Sequence, residues 1–474
     1  MNKESESIIL IDLPTFPKGV ISLSLLAVAN CLSTSYRVEV IDLNLTHPSN
    51  YHPSASNIAM FGLKVSSQNL NYAIAISEKI RAANPTAKIV WGGELPTLLP
   101  HICLKYADSV LGGLFEPVSE TFIQDLKANN LSQKYFGENT TGVISTPNFS
   151  LLPDVQKYYQ FMGYPLETSR GCTEKCIFCM VHTMQKKNYQ LGNFHTLKSI
   201  LPQYKGRFVN VVDYNFGVDS NHVIEVAKLI EESGAVGWMA EMCIELLDND
   251  EVLRALKNSR CKMIYCGLES IDQQSLNSVH KMNTNHIENY ERIIRKVQLH
   301  GIQIAAGIIL GIEGTHSNTF DELFKFYQRM GIIYAKLTFL IFNPGTKAHE
   351  YEKKKGMYLS DDITCFDGNQ LTFLPNGVDQ DYVKSGAASF IKSFYSLGGI
   401  ITRSFNTNLS IMARLEFILF NLCYRNVYLQ WLQFDTLNKP ENLKKLIERP
   451  FRKSAATLLI ENALHWVRLQ QMKK

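Results

Sequence analysis

The sequence predicts an α/β protein in three parts: an N-terminal doubly wound parallel sheet, a central partial (β/α)6 TIM-type barrel and a helical C-terminal region. Three observations predict it. Short apolar runs of strand length alternate with amphipathic stretches of helical spacing from Ser7 to Ala128. The same alternation resumes at Pro165 and runs to Phe342. From about Asp379 onward strand-like runs cease and helical spacing takes over. Repeated strand–helix units build parallel sheets whose faces the helices cover. The expected divisions are residues 1–130, a linker over 131–164, residues 165–376 and residues 377–474.

In the first part the buried strands are Ser7–Leu13, Arg37–Leu43, Asn57–Leu63, Lys88–Trp91 and Asp108–Leu111. Helices fall between them at Val20–Leu32, Gln68–Ala83 and Leu98–Tyr106, with a last one at Val118–Ala128. Ligands of such a sheet sit at the carboxyl ends of its strands. Gly92-Gly93 and Gly112-Gly113 close two of those ends and are candidate binding positions. Asn129–Ser150 is rich in Asn, Thr, Gly and Ser and reads as a linker. The second part has strands at Pro165–Thr168, Phe208–Asp213, Gly237–Cys243, Met263–Leu268, Gln303–Leu310 and Ala335–Phe342. Six units point to a partial barrel, not the closed eight-fold form, with its site on the loops after the strands.

Charge excludes little beyond the extremes. Lys and Arg number 48 against 44 Asp and Glu, a balance that gives no reason to expect a nucleic-acid partner. No run of ~18 uninterrupted apolar residues is present to span a membrane. Met1–Ser7 has neither the basic start nor the apolar core of a secretory signal. Seven of the ten cysteines are scattered singly, as buried thiols are, so a reduced, cytoplasmic protein is expected.

The other three cysteines are Cys172, Cys176 and Cys179, spaced C-x-x-x-C-x-x-C. Three thiolates at this spacing can hold a cubic 4Fe–4S cluster and leave its fourth iron open to a small chelating molecule. Two other chemistries use such residues. His182 would complete a Cys3His zinc site, and Cys176 with Cys179 would form a redox pair that leaves Cys172 idle.

The segment Cys172–Cys179, with Phe178 before the last cysteine, resembles the signature of radical S-adenosylmethionine (SAM) enzymes. The resemblance implies that the open iron binds SAM, that Phe178 lies beside its adenine, and that reductive cleavage yields a 5′-deoxyadenosyl radical. Downstream segments resemble the family's strand-end motifs in order: Asp213-Tyr214-Asn215-Phe216, Glu241, Gly267-Leu268-Glu269-Ser270 with Lys281-Met282-Asn283, and Gly307-Ile308-Ile309-Leu310-Gly311. Asp213 and Asn215 are implied at the methionine end, Glu241 at the ribose, and Glu269, Ser270, Gly307, Ile309 and Gly311 along the remaining cofactor wall. A flavodoxin or ferredoxin is the implied electron donor.

A five-stranded sheet ahead of such a barrel resembles the subfamily with an N-terminal cobalamin-binding domain. The histidine motif that ligates cobalt in some corrinoid proteins is absent, and His47 reads as a surface residue. Leu114-Phe115, following Gly112-Gly113, stand at a position able to crowd a bulky ligand. If cobalamin binds, the implied reaction is methylation of an unactivated carbon or phosphorus centre in a small-molecule or peptide substrate. If not, the domain is a scaffold and the radical serves rearrangement, oxidation or ring closure.

The last part resembles the family's helical tail, with Phe394-Tyr395-Ser396 and Arg403. Leu415, Phe417, Leu419, Phe420, Tyr424, Tyr428 and Trp431 form an apolar stripe expected to be core. Lys473-Lys474 read as a solvated end.

Overall fold

A computed structural model describes residues 6–15, 18–46, 48–53, 57–138, 142–152, 157–185, 189–281, 285–432 and 454–472. His47, Met282, Asn283, Lys473 and Lys474 lie outside the described residues, as do the side chains of Tyr428 and Trp431.

The N-terminal sheet contains β1 (Ser7–Asp12), β2 (Arg37–Asp42), β3 (Ile58–Lys64), β4 (Lys88–Gly92), β5 (Ser109–Gly113) and β6 (Lys134–Gly137), in the order β2-β1-β3-β4-β5-β6. All neighbours are parallel. β1 sits inside, and Ile8 to Asp12 are all buried, as a strand covered on both faces requires. Strand order reverses beside β1, so a crevice opens between the carboxyl ends of β1 and β3. There Lys64 Nζ lies 3.7 Å from Asp12 Oδ1 and 2.9 Å from Ser22 Oγ.

The sixth strand was not expected: β6 lies inside the stretch read as a linker. It is a short edge strand that alternates exposed Lys134 and Phe136 with buried Tyr135 and Gly137. Surrounding Ser, Asn and Gly mask a four-residue pattern of that kind. Tyr135 fixes it, its hydroxyl donating to Asp125 Oδ2 at 2.6 Å and accepting from Ser132 N.

The second sheet is the partial barrel. β7 (Tyr164–Leu166), β10 (Phe208–Val211), β11 (Gly237–Glu241), β12 (Cys261–Glu269), β13 (Gln303–Leu310) and β14 (Tyr334–Phe339) follow in sequence order, every pair parallel. β7 and β14 are the two edges, so the ring stays open. The helices Ser220–Glu232, Asp250–Asn258, Ile287–Leu299 and Thr319–Met330 cover its outer face. Trp238 on β11 is fully buried, its indole N–H donating to Ser259 O at 3.0 Å.

The open side is filled by side chains from outside the sheet. Phe420 and Tyr424, on the helix Ile411–Leu432, pack edge-on against Phe161 at 5.7 and 6.3 Å. Tyr424 also meets Tyr334 of β14, rings 4.4 Å apart and hydroxyls 2.9 Å apart. Of the five stripe residues whose side chains are described, Phe417, Phe420 and Tyr424 are core, Leu419 is half-buried and Leu415 is exposed. Arg403 is buried among these helices, donating to Ile332 O and Asn421 Oδ1, with its guanidinium over the Phe394 ring. Among the described residues no helix is long and apolar enough to cross a membrane.

Candidate active site

The three cysteines lie in a loop whose ends are tied together. β8 (Ser169–Arg170) leads in and β9 (Gln190–Leu191) leads out, and the two pair antiparallel. Gly171, at φ +83°, turns the chain from β8 into the loop, a conformation that favours glycine. The loop sits above the carboxyl end of β7, where a barrel carries its site.

Cys176 is buried, whereas Cys172 and Cys179 are half-buried. Burial pushes all three thiols up, Cys176 to about 12; Cys172 adds to the rise at both Cys176 and Cys179, and Cys179 to that at Cys176. Lys281 opposes that rise at all three. The Lys281 ammonium is itself buried: burial works against its charge, but Glu269, Cys176, Cys243 and Glu241 outweigh it and raise its pKa. Such thiols are neutral until a metal displaces their protons, and a nearby fixed cation makes the anionic ligand set less costly. The donor set thus suits an iron–sulfur cluster. Among the described residues no three His, Cys, Asp or Glu side chains are gathered around a single metal-ion position. A cubane holds its thiolates at separate corners and does not need that convergence.

Asp213 and Asn215 follow β10 and secure this loop. Asp213 is buried, which pushes its carboxyl up to about 6 against three hydrogen bonds from Thr168 N, Thr168 Oγ1 and Ser169 Oγ, each 2.6 Å. Those bonds tether the lead-in to the cysteines. Thr168 has only one hydroxyl proton and gives it to Asp213, so His222 Nε2, at 2.9 Å, donates to Thr168 Oγ1. Asn215 Oδ1 accepts from Gly217 N and Cys243 N, and its Nδ2 donates to Cys243 Sγ at 3.2 Å.

Glu269, Ser270, Ile309 and Gly311 line one recess at the ends of β12 and β13. Glu269 holds φ +65°, rare for a residue with a side chain, at a register shift between β12 and β13. A Cβ on Gly267 would come 2.3 Å from Glu269 Oε1, and one on Gly307 would come 2.3 Å from the Tyr265 hydroxyl. Both glycines make room for site side chains. Phe178 packs against the apolar group that contains Ile309, Val279 and Leu340. The cysteine loop and the end of β13 therefore share one wall.

Inside the barrel is a cavity of about 470 Å³. Glu241, Lys336, Tyr265, Tyr334, Asp367 and Tyr424 are among its lining residues. The Glu241 side chain opens onto this space yet is enclosed by protein, and burial raises it to about 7 although Lys336 and Lys281 pull it down. Asp367 is hydrogen-bonded by Asn369 and by Gln68 of the N-terminal sheet's helical layer.

A second cavity of about 360 Å³ lies at the carboxyl ends of β1, β3, β4 and β5. Leu10, Val28, Met60, Val90 and Phe115 give it apolar walls, and Lys64, Glu94 and Arg170 its charge. Gly92, Gly93 and Gly113 line it; Gly112 does not. Gly112 is small for a different reason, since a Cβ there would come 2.4 Å from the Phe136 ring of β6. Leu114 and Phe115 form part of the wall, and Phe115 is buried edge-on against Phe122.

Residues 166–327, from the end of β7 into the helix Thr319–Met330, match the family described as the Radical SAM superfamily. The chain carries a radical SAM domain. The chain is 22% identical over 343 residues to the bacteriochlorophyllide d C-8(2)-methyltransferase of Chlorobaculum tepidum, covering 69% of this chain and 75% of that one. Its fold is similar to that of the cobalamin-dependent SAM radical enzyme OxsB solved with aqua-cobalamin bound, at 15% identity and a TM-score of 0.64, over 99% of this chain and 81% of the other. It is also similar to the radical SAM methyltransferase TsrM from Kitasatospora setae with cobalamin and cluster bound, at 15% identity and a TM-score of 0.57, over 75% and 76%. The expected α/β architecture, with parallel sheets and a helical C-terminal region, is the one these proteins share.

Four residues of the candidate site carried no role in the sequence reading, although Tyr214 and Lys281 stood inside the quoted motifs. Lys281 and Lys336 face the carboxylates Glu241 and Glu269. Lys336 left a trace, as a lone charge inside the apolar strand β14. Arg170 contacts Glu116 and Ser145, and Tyr214 lines both cavities, relations between segments far apart in sequence that no local pattern records.

Proposed function

We propose that this radical SAM enzyme is a cobalamin-dependent methylase of a small-molecule acceptor. The observation that carries the reading is the placement of two cavities, one at the sheet ends and one inside the barrel, on either side of the segment that anchors the cysteine loop. In this assignment Cys172, Cys176 and Cys179 hold a 4Fe–4S cluster, with SAM along Phe178, Glu269, Ser270, Ile309 and Gly311. A corrinoid occupies the sheet-end cavity against Gly92, Gly93 and Gly113. No histidine is among its described lining residues.

Together such groups supply a carbon radical able to take a hydrogen atom and a methyl group able to replace it. The chain's own residues supply position. Asp213 and Asn215 hold the cysteine loop in register with β10 and β11, and Lys281 balances the thiolates. The barrel cavity has the size of a small-molecule site. Lys336 and the tyrosines of β12 and β14 orient the acceptor there and exclude water, with Glu241 at the SAM ribose. The similarity to a methyltransferase of a tetrapyrrole pigment supports a methyl acceptor of small-molecule size. Reducing electrons come from a flavodoxin or ferredoxin.

The test is anaerobic purification from cells supplied with cobalamin. About four irons and one corrinoid per chain, with methyl groups from labelled SAM recovered on bound corrinoid, are expected. Iron without corrinoid under saturating supply sinks the methylase reading and leaves the sheet as a scaffold.

A further inference from the structure

The two cavities meet at one short segment. Val212, Asp213 and Tyr214, leaving β10, line both. They do not do so equally. The Asp213 carboxylate is turned to Thr168 and Ser169, and Val212 has no polar side-chain atom. Tyr214 is 42% exposed although it lies inside the protein, so its open surface faces the two cavities. The groups that reach it electrostatically are Glu167, Cys179, Glu94 and Arg170. They place it between the cysteine loop and the carboxyl end of the N-terminal sheet.

A large aromatic side chain left open in the interior, beside two cavities, has the character of a ligand contact. Tyr214 makes no hydrogen bond among the described residues. Burial pushes the phenol up to about 12, so at neutral pH it is uncharged and able to donate.

We propose that Tyr214 is the partition between the two ligand sites, touching a corrinoid on the sheet side and the occupant of the barrel on the other, and barring small solutes from passing between them. This rests on the assignment of the sheet-end cavity to a corrinoid. It makes Tyr214 a specificity-determining residue: its ring sets how closely the two ligands approach and its removal joins the chambers.

The experiment uses the full-length, cluster-loaded protein and aquacobalamin. Two quantities are read without turnover: the dissociation constant from the visible spectrum, and the rate at which azide replaces the cobalt-bound water of the bound corrinoid. Tyr214→Phe keeps the ring and is expected to take azide at the wild-type rate within about twofold. Tyr214→Ala is expected to take it at least about tenfold faster and to bind the corrinoid more weakly, a tenfold change corresponding to about 1.4 kcal/mol. Tyr214→Leu, which keeps bulk, guards against misfolding of the alanine variant and is expected to fall between the two. If wild type binds aquacobalamin and all three variants exchange at its rate, the partition is overturned while the corrinoid assignment stands. An equal acceleration in Tyr214→Phe also overturns it. Failure of wild type to bind aquacobalamin overturns the corrinoid assignment, and the partition with it.

Discussion

Arg170 Nη2 lies 2.8 Å from Glu116 Oε1 and 2.8 Å from Glu167 Oε2, joining the end of the N-terminal sheet to the residue two before Cys172. The arginine is 2% exposed and also donates to Ser145 Oγ at 3.1 Å. Breaking a buried pair of this kind strands a charge, at about 3–5 kcal/mol. Arg170→Met is therefore expected to lower unfolding stability by that amount in urea titration. Arg170→Lys is not expected to rescue it, because an ammonium does not reproduce the fork that spans two carboxylates. A double-mutant cycle with Glu116→Gln is expected to show coupling above about 0.5 kcal/mol; strict additivity would mean that the bridge carries nothing.

Each of Cys172→Ala, Cys176→Ala and Cys179→Ala is expected to abolish cluster assembly and SAM cleavage. Iron content and deoxyadenosine formation read the outcome. Wild-type iron in any one variant removes that cysteine from the ligand set.

Acid stability separates two linked groups. Burial holds His222 down at about 4 against 6.5, so the unfolded chain takes up that proton first and stability falls as pH drops through this window. Asp213 is held up at about 6 against 3.8, so the folded chain takes up its proton first and stability is gained over nearly the same window. Each contribution is on the order of 3 kcal/mol, with opposite sign. Asp213→Asn is expected to steepen the loss of stability between pH 6.5 and 4, and His222→Gln to abolish it. Urea midpoints at stepped pH read both, and a shallower acid limb in Asp213→Asn contradicts the linkage.

Gly92 and Gly113 line the same cavity but for different reasons. Gly113 sits at φ +65° with the Gly137 carbonyl 2.3 Å from where a Cβ would be, so Gly113→Ala is expected to destabilise by about 1–3 kcal/mol. At Gly92 the nearest atom to that position is the Leu111 Cβ at 3.5 Å, an ordinary van der Waals contact. Gly92→Ala is expected to leave the melting temperature nearly unchanged and to weaken aquacobalamin binding.

Periodicity located most strands to within a few residues, because buried parallel strands are nearly continuous apolar runs; Gln303–Leu310 is found at the limits expected. The cysteine loop was legible because its spacing is itself the chemistry. β6 was missed because an edge strand of four residues has too little pattern. Asp213 was expected to face a ligand, and the structure shows its oxygens tethering Thr168 and Ser169. That role, like the bridge from Glu116 to Arg170, joins segments about 45 and 54 residues apart. Sequence displays such residues singly and never as pairs.

The unpaired edges of β7 and β14 carry a consequence for how this enzyme can change. A ring closed by backbone hydrogen bonds has a fixed girth, whereas this one is shut by Phe161, Phe420 and Tyr424 meeting across the gap. Trimming those side chains would widen the interior without breaking a single rung of the ladder. Occupants of new girth are thus reachable through three aromatic positions, and the bore of the barrel is free to drift while its backbone ladder stays put.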